Sequence, residues 1–366
     1  MRVFMIPDWR AGNPYQQQMA DALQSQGVNV LFPRGYHRGL PIWRSLRRVE
    51  EKVDIVHLHW HEAYIRSNTR VGEWRYAVKL ILDLLLVKAS GAKLVWTVHN
   101  EVPHDSPRPG YFRKLQYAIS WLADSIIVHS SSAWEEIAKH VRRGKNADII
   151  PHPHYRDVYG DVISKSDARR RLGLPEQGIE FLFFGVIRPY KGVEDLLEAW
   201  RKVRPSAGAR LLIVGSPGPK IYEARIRELA AGQDNVQLIF DFVPDSAVRD
   251  YVCSADCMVL PFRKILTSGS LTLALSYGVP VIAPDVAFIR EEVNQYGGEL
   301  FQLHDVDSLA SAIGQVISKT GETGGHPRLS ARAMSWTDLA TQTARVYSRV
   351  LRGQSPATAS LPHFTD

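Results

Sequence analysis

The chain has 366 residues, a length for about two domains that each bury a core of their own. At 45% apolar and 23% charged it has the composition of a soluble α/β protein, and its longest apolar run, around Leu80 to Val87, is broken by Asp83 before it reaches membrane-spanning length. The net charge is +7, and all of the excess lies early: Met1 to Lys165 carries 23 Lys+Arg against 16 Asp+Glu, the remainder 22 of each. Such a field suits an anionic acceptor, an anionic membrane or nucleic acid. Nucleic acid ranks lowest, because no helix-turn-helix, zinc or RNA-binding signature is present. Cys253 and Cys257 lie one helical turn apart among apolar neighbours and read as buried thiols of a reducing, cytoplasmic compartment. The start, MRVFMIPDW, reads as a first strand and not as a signal peptide.

In chain order, VFMI is a strand, the loop PDWRAGNPY leads into the helix QQQMADALQSQG, and NVLFP and VDIVHLHW are the second and third strands. A long helix through WRYAVKLILDLLLVKASG precedes the strands KLVWTVHN and SIIVHS. The pattern breaks at IPHPHYRDVYG and restarts with FLFFGVI, RLLIVG, VQLIFDF, CMVLPF and PVIAP, and a helix from Trp336 to Leu351 closes the chain. Short β-branched runs alternating with helices predict parallel sheets of the doubly wound kind. The expected fold class is α/β, with two Rossmann-like domains facing a cleft at residues 1–160 and 161–350, and a flexible tail at 351–366.

The segment Phe183 to Trp200, FFGVIRPYKGVEDLLEAW, carries the chemistry. An apolar run ends in Gly185, and Arg188 and Lys191 follow just before a helix. A planar fork of donors and a compact ammonium both suit phosphate oxygens, and a helix N-terminus adds its dipole. A second small-residue turn, Thr267-Ser268-Gly269-Ser270, lies between CMVLPF and the helix LTLALSYG; its hydroxyls and amides either cradle a phosphate or simply cap the helix.

With GVIRPYKG after the first strand of the second half and LTSGSLTLALSYGVPVIAP near its end, the sequence resembles the GT-B glycosyltransferases, most nearly the family 4-type enzymes that use nucleotide sugars to build bacterial surface polysaccharides and glycolipids. The resemblance covers roughly residues 1 to 350. It implies transfer of a hexosyl unit from a nucleotide diphosphate sugar, UDP- or GDP-linked, to a glycan or lipid-linked acceptor. Arg188 and Lys191 then bind the diphosphate and stabilise the charge that grows on the leaving group, in place of a metal. The loop Gly12-Asn13-Pro14 lies against the diphosphate and the transferred sugar, and His99 lies beside that sugar. A protein of this kind is expected at the inner face of the membrane.

One departure stands out. Retaining members usually carry a pair of glutamates around the phosphate loop, and here no acidic residue occurs between Asp256 and Asp285. The corresponding places hold Ile265 or Leu266 and Leu273 or Ala274, so ribose is held by hydroxyls or backbone and the stereochemical course stays open. An inverting course needs a general base, and the candidates at strand ends are Asp8, Glu62, His99 and Glu101, with Glu62 and His99 favoured.

Other polar groups have alternative readings. Strand alternation puts His57, His59 and His61 on one face, where they hold a metal or, more simply, fill the strand while His61 and Glu62 reach the cleft. Asp305-Val306-Asp307 has metal-motif spacing, but Asp307 reads better as a helix N-cap. His104, Asp105, His152 and His154 line the acceptor side or the linker. Residues near Phe242 to Asp245 flank the base. Leu40 to Lys52 and Tyr111 to Trp121 mix aromatic and basic residues and are expected to contact an anionic membrane. Two other functions stand beside the transferase. The acid-free stretch argues against a nucleotide-sugar epimerase. A non-catalytic partner subunit is favoured by the missing glutamates and disfavoured by Arg188 and Lys191.

Overall fold

The computed structural model describes residues 1–354 apart from 12, 36–38, 68, 100–108, 143, 205–207, 265–267 and 324–333. The chain divides into two units, one of residues 1–152 and 334–366, the other of residues 153–333.

The first unit holds a parallel sheet of β1 (Arg2–Ile6), β2 (Asn29–Leu31), β3 (Ile55–Leu58), β4 (Lys93–Thr97), β5 (Ser125–Val128) and β6 (Ala147–Ile149), in the order β2-β1-β3-β4-β5-β6. β3 and β5 are buried at every residue, which is why their sequences read as continuous apolar runs rather than alternating ones. The chain leaves β1 toward β2 and leaves β3 toward β4, so the order reverses between β1 and β3. Right-handed crossovers place the helices Arg70–Ala89 and Pro109–Leu122 on one face of the sheet and the helix Pro14–Ser25 on the other.

The second unit repeats this plan with β7 (Ile179–Phe184), β8 (Ala209–Val214), β9 (Val236–Ile239), β10 (Cys257–Val259), β11 (Val281–Pro284) and β12 (Gly298–Phe301), in the order β12-β11-β10-β7-β8-β9. Its order reverses between β7 and β10. β6 and β12 go beyond the sequence expectation. Both are edge strands of three or four residues, one holding Asp148 and the other starting at Gly298, too short for a local pattern to show.

The expected division at residue 160 is corrected. The helix Trp336–Leu351 forms where expected, but it returns to the first unit instead of completing the second. It packs on Pro14–Ser25, where the Gln26 amide donates to Thr341 Oγ1 at 2.9 Å. Tyr347 meets His57 of β3 at 2.6 Å, and Arg349 donates to Asp148 of β6 at 2.7 Å. The buried face Trp336, Leu339, Ala340, Thr343, Val346, Tyr347 and Val350 drives the docking. A capping box between Ser335 and Asp338 starts the helix.

Three smaller readings also change. Cys253 lies in the last turn of the helix Asp245–Ser254 and Cys257 opens β10, so the two do not share a helix, although both thiols are buried. Asp305, not Asp307, caps the helix Val306–Thr323: its carboxylate accepts the Ser308 amide at 2.9 Å, while Asp307 pairs with Lys202 on the surface. In Leu40 to Lys52 the helix is only Pro41–Leu46, and its apolar Ile42 and Leu46 are buried in the protein. Asp83, which interrupts the apolar run of its own helix, accepts the amides of Ile42 and Trp43 at 2.9 and 2.6 Å. Burial pushes its carboxyl up to about 6.

Candidate active site

In open parallel sheets, ligands bind outside the carboxyl ends of the strands where the order reverses. In the second unit that point lies between β7 and β10. After Phe184 the chain turns through Gly185, and Arg188 to Lys191 form a short turn that hands over to the helix Val193–Val203. Gly192 makes this possible: its φ is +71°, and a Cβ there would stand 1.8 Å from the Pro261 carbonyl oxygen after β10. Arg263 ties the two loops together. It pairs with Asp195 at 2.7 Å and with Glu194 at 3.1 Å, and its amide donates to the Tyr190 carbonyl at 2.9 Å.

Arg188 and Lys191 project from this turn. Among the described residues neither side chain has a hydrogen bond or a carboxylate partner, although Arg169, Arg210 and Arg263 in the same unit are all paired. Arg188 is exposed and Lys191 partly buried. The Lys191 ammonium lies 4.2 Å from the centroid of the Phe262 ring, and desolvation pushes its pKa down to about 8. Two cations without anions at a strand-to-helix turn can hold a diphosphate.

The small-residue turn meets the same place. Ser270 Oγ donates to the Phe184 carbonyl at 3.1 Å, and a Cβ on Gly185 would lie 3.2 Å from that hydroxyl. Ser268 caps the helix Gly269–Ser276 by accepting the Leu271 amide at 3.0 Å. Ser268 and Ser270 are thus occupied in shaping the turn, and the first amides of the helix, which have no partner inside it, are the groups that can face an anion. Thr267, Ile265 and Leu266 lie outside the described residues. Phe242 follows β9 and is 80% exposed.

In the first unit the reversal lies between β1 and β3, whose ends run together as the His59 amide donates to the Ile6 carbonyl at 2.9 Å. Buried Gln16 pins the loop after β1, donating to the Pro7 carbonyl at 2.6 Å and accepting the Trp9 amide at 2.7 Å. Asn13 caps the helix Pro14–Ser25 through the Tyr15 amide at 3.0 Å. Gly12 lies outside the described residues.

Aromatic rings line these strand ends. Trp9 stacks on Trp60 at 5.0 Å, and Trp60 on His99 at 4.3 Å. His99 Nε2 bonds His59 Nδ1 at 3.0 Å, and Tyr15 meets His59, Trp60, His99 and His129 edge-on. Burial holds His57, His59 and His99 neutral, with the neighbouring imidazoles adding to the downward shift. His99 is therefore a neutral hydrogen-bonding ring and a poor proton acceptor at neutral pH.

His61 departs from the expected single face. β3 ends at Leu58, and a short 3-10 turn, His61–Tyr64, carries His61 to the other side of the sheet, against Trp96 and Phe112. His57 instead bonds Tyr347 and Thr97 at 2.6 and 2.7 Å. Among the described residues no cluster of histidines, cysteines and acids could hold a metal ion.

Of the candidate bases, Asp8 forms a double hydrogen bond with Arg10 at 2.9 and 3.0 Å, which holds its carboxyl below the ordinary range. Glu62 is partly buried, with His61 Nδ1 at 3.4 Å. Glu101, His104 and Asp105 lie outside the described residues. His152 joins the first unit's ring cluster, touching Tyr15, His129 and Trp336, whereas His154 is buried in the second unit.

The second unit contains residues 178–319, which match the family model described as glycosyl transferases group 1. A GDP-mannose:glycolipid 4-beta-D-mannosyltransferase of Xanthomonas campestris pv. campestris is 30% identical over 349 residues, covering 93% of this chain and 89% of that protein. The chain belongs to the group 1 glycosyltransferases. It is a nucleotide-sugar-dependent glycosyltransferase with the GT-B fold. Among solved structures, sucrose-phosphate synthase (tll1590) from Thermosynechococcus elongatus superposes with a TM-score of 0.74 at 17% identity, over 96% of this chain and 99% of that one. Anabaena Alr3699/HepE, solved with UDP and glucose, gives 0.67 at 16% identity, over 95% and 99%.

Sequence reasoning missed several parts of this glycosyltransferase's strand ends. Phe262 under Lys191 and Arg263 on Asp195 follow CMVLP directly, but only the fold shows what they face. Gly215 ends β8 as Gly185 ends β7, and a Cβ on Gly215 would meet the Gly185 carbonyl oxygen at 1.9 Å. The matching apolar-run-plus-glycine ends, LFFG and LIVG, were the available signal. Apart from His57 and His59, which share one segment, the histidines and Tyr15 of the ring cluster come from separate segments, so no spacing announces the cluster as a whole.

Proposed function

We propose that this glycosyltransferase transfers mannose from GDP-mannose to a lipid-linked glycan at the inner face of a membrane, without a metal ion. The observation that carries the donor site is the pair Arg188 and Lys191, cations without carboxylate partners among the described residues, at the carboxyl end of β7. They bind the diphosphate and stabilise the charge that develops on it as the glycosidic bond breaks. The choice of GDP-mannose and of a glycolipid acceptor is supported by the Xanthomonas relative, which is named for both. Ser268, Gly269 and Ser270 shape the turn whose amides face the phosphates.

That relative forms a β-mannosyl linkage. A β-linked product from an α-linked donor requires inversion, with a base on the face opposite the leaving group. The missing glutamate pair fits this course. Glu62 takes the acceptor proton, since Asp8 is held by Arg10 and His99 is too weakly basic. Neutral His99 hydrogen-bonds the transferred sugar.

The test is a thermal-shift panel with GDP, UDP and ADP on the wild type and on Arg188→Ala, followed by assay of the product's anomeric configuration by NMR. A rise in melting temperature with GDP that the variant loses supports the reading. No rise with any nucleotide, or an α-linked product, overturns it.

A further inference from the structure

The helix Arg70–Ala89 is apolar on both sides, and only one side is used. Leu80, Leu84 and Val87 are buried beneath it in the first unit. On the opposite side Val71 is 72% exposed and Trp74 66%, and Val78, Leu82 and Leu85 continue the line at 37, 49 and 45%. The spacing of three, four, four and three residues keeps all five within one stripe, about 20 Å long at helical rise. A helix with this much outward apolar surface has a partner that is not water.

The charges say which partner. Arg70, Arg75, Lys79 and Lys88 are the cations of this helix, while its two acids, Glu73 and Asp83, are buried. Arg75 and Lys79 fall beside the stripe, on the flank where Lys79, Arg66, Tyr64 and Tyr76 line a cavity of about 310 Å³. The neighbouring helix Pro109–Leu122, on the same face of the sheet, exposes Tyr117 and Trp121 at 47 and 51%, with Arg142 stacked 3.8 Å over the Trp121 ring. An apolar line with tryptophan and tyrosine, edged only by positive charge, matches an anionic lipid surface better than the surface of another protein. No helix among the described residues is long and apolar enough to cross a membrane, so contact is by lying on it.

We infer that the outer face of Arg70–Ala89, with Tyr117 and Trp121, is the surface on which this protein rests on an anionic bilayer. The segment Leu40 to Lys52 is less suited, because Ile42 and Leu46 are buried and Trp43 is only partly exposed. The inference rests on the reading of the acceptor as lipid-linked, and it places the bilayer against the first unit.

The experiment is vesicle flotation of the full chain without donor, on phosphatidylcholine alone and on phosphatidylcholine with phosphatidylglycerol. The wild type is expected to float with the anionic vesicles and not with the neutral ones. Trp74→Ser with Leu82→Ser, and separately Arg75→Glu with Lys79→Glu, are each expected to lower the bound fraction by more than about tenfold. Both pairs lie in partly or largely exposed positions, and unchanged melting temperatures confirm that they fold. Transfer to a short-chain soluble acceptor is expected to survive in both. Equal flotation of wild type and variants overturns the inference. So does failure of the wild type to float together with a dimer in light scattering that the Trp74 and Leu82 variant dissolves, since the stripe then joins two copies. Flotation lost in the variants while no donor supports transfer even in the wild type sustains the surface and refutes the donor assignment instead.

Discussion

The Lys191 ammonium sits 4.2 Å from the centroid of the Phe262 ring and has no carboxylate partner among the described residues. The ring offers a weak attraction that a phosphate surpasses, so the lysine stays available to an anion while being held in place. Its pKa, pushed down to about 8 by desolvation, makes the charge dependent on pH near neutrality.

A proton-linkage prediction follows from that value. A bound diphosphate restores the lysine toward its ordinary 10.5. Between pH 8 and that upper value, nucleotide binding is therefore accompanied by proton uptake, and affinity falls as pH rises through the window. Titration calorimetry at pH 9 in buffers of different ionisation enthalpy should show buffer-dependent heats. Lys191→Met should lose the proton term along with most of the affinity.

The Arg188 side chain is exposed and makes no hydrogen bond among the described residues, so its removal should leave folding untouched. Loss of a charge-assisted hydrogen bond amounts to about 1.5–3 kcal/mol, roughly 10- to 150-fold in nucleotide affinity. Arg188→Ala is expected to weaken binding in that range with a melting temperature within a degree or so of wild type. A large drop in melting temperature would show that the arginine has a structural role.

Gly192 should tolerate no side chain. Alanine there combines a left-handed backbone with a Cβ 1.8 Å from the Pro261 carbonyl oxygen, so the Arg188–Lys191 turn must move off the β10 loop. Gly192→Ala should lower transfer far more than Gly314→Ala, a glycine with open space around its Cβ position. Steady-state rates of the two variants decide this.

The return of the last helix can be tested at Tyr347. Its hydroxyl and Thr97 occupy the two nitrogens of buried His57. Tyr347→Phe leaves one nitrogen without its partner, at a cost of about 1–3 kcal/mol of stability. Denaturant unfolding should show that loss, and transfer per folded molecule should stay unchanged.

Acid should unfold this protein readily. His57, His59, His61 and His99 all have native pKa values below the ordinary 6.5, with burial the leading cause, His57 reaching about 3. The unfolded chain then binds more protons than the native one as pH falls below 6.5. The stability from keeping these rings neutral is complete above 6.5 and drains away toward pH 3. Each ring adds up to about 1.4 kcal/mol per pH unit to the slope. Unfolding free energies measured from pH 7 to pH 5 should fall with a slope greater than one proton. His57→Phe should reduce that slope.

Much of the fold was legible in order along the chain. Apolar β-branched runs between helices announced ten of the strands and their parallel pairing, because a strand buried on both faces must be apolar throughout. GVIRPYKG announced a cationic strand-to-helix turn, because both cations and the glycine lie within a few residues of each other. The sequence by itself determined which groups are adjacent along the backbone, and with them the two sheets and the anion loop. Only the tertiary structure decided which distant groups meet. Among the described residues it left Arg188 and Lys191 without acids while giving Asp195 to Arg263, and it carried Trp336–Leu351 back to the first unit. It gathered histidines from just beyond β3, β4 and β5 around Tyr15, and it turned Asp83 inward while leaving Trp74 outside. Periodicity reports which face of an element is apolar, but whether a charge is paired or a face is covered depends on residues tens or hundreds of positions away.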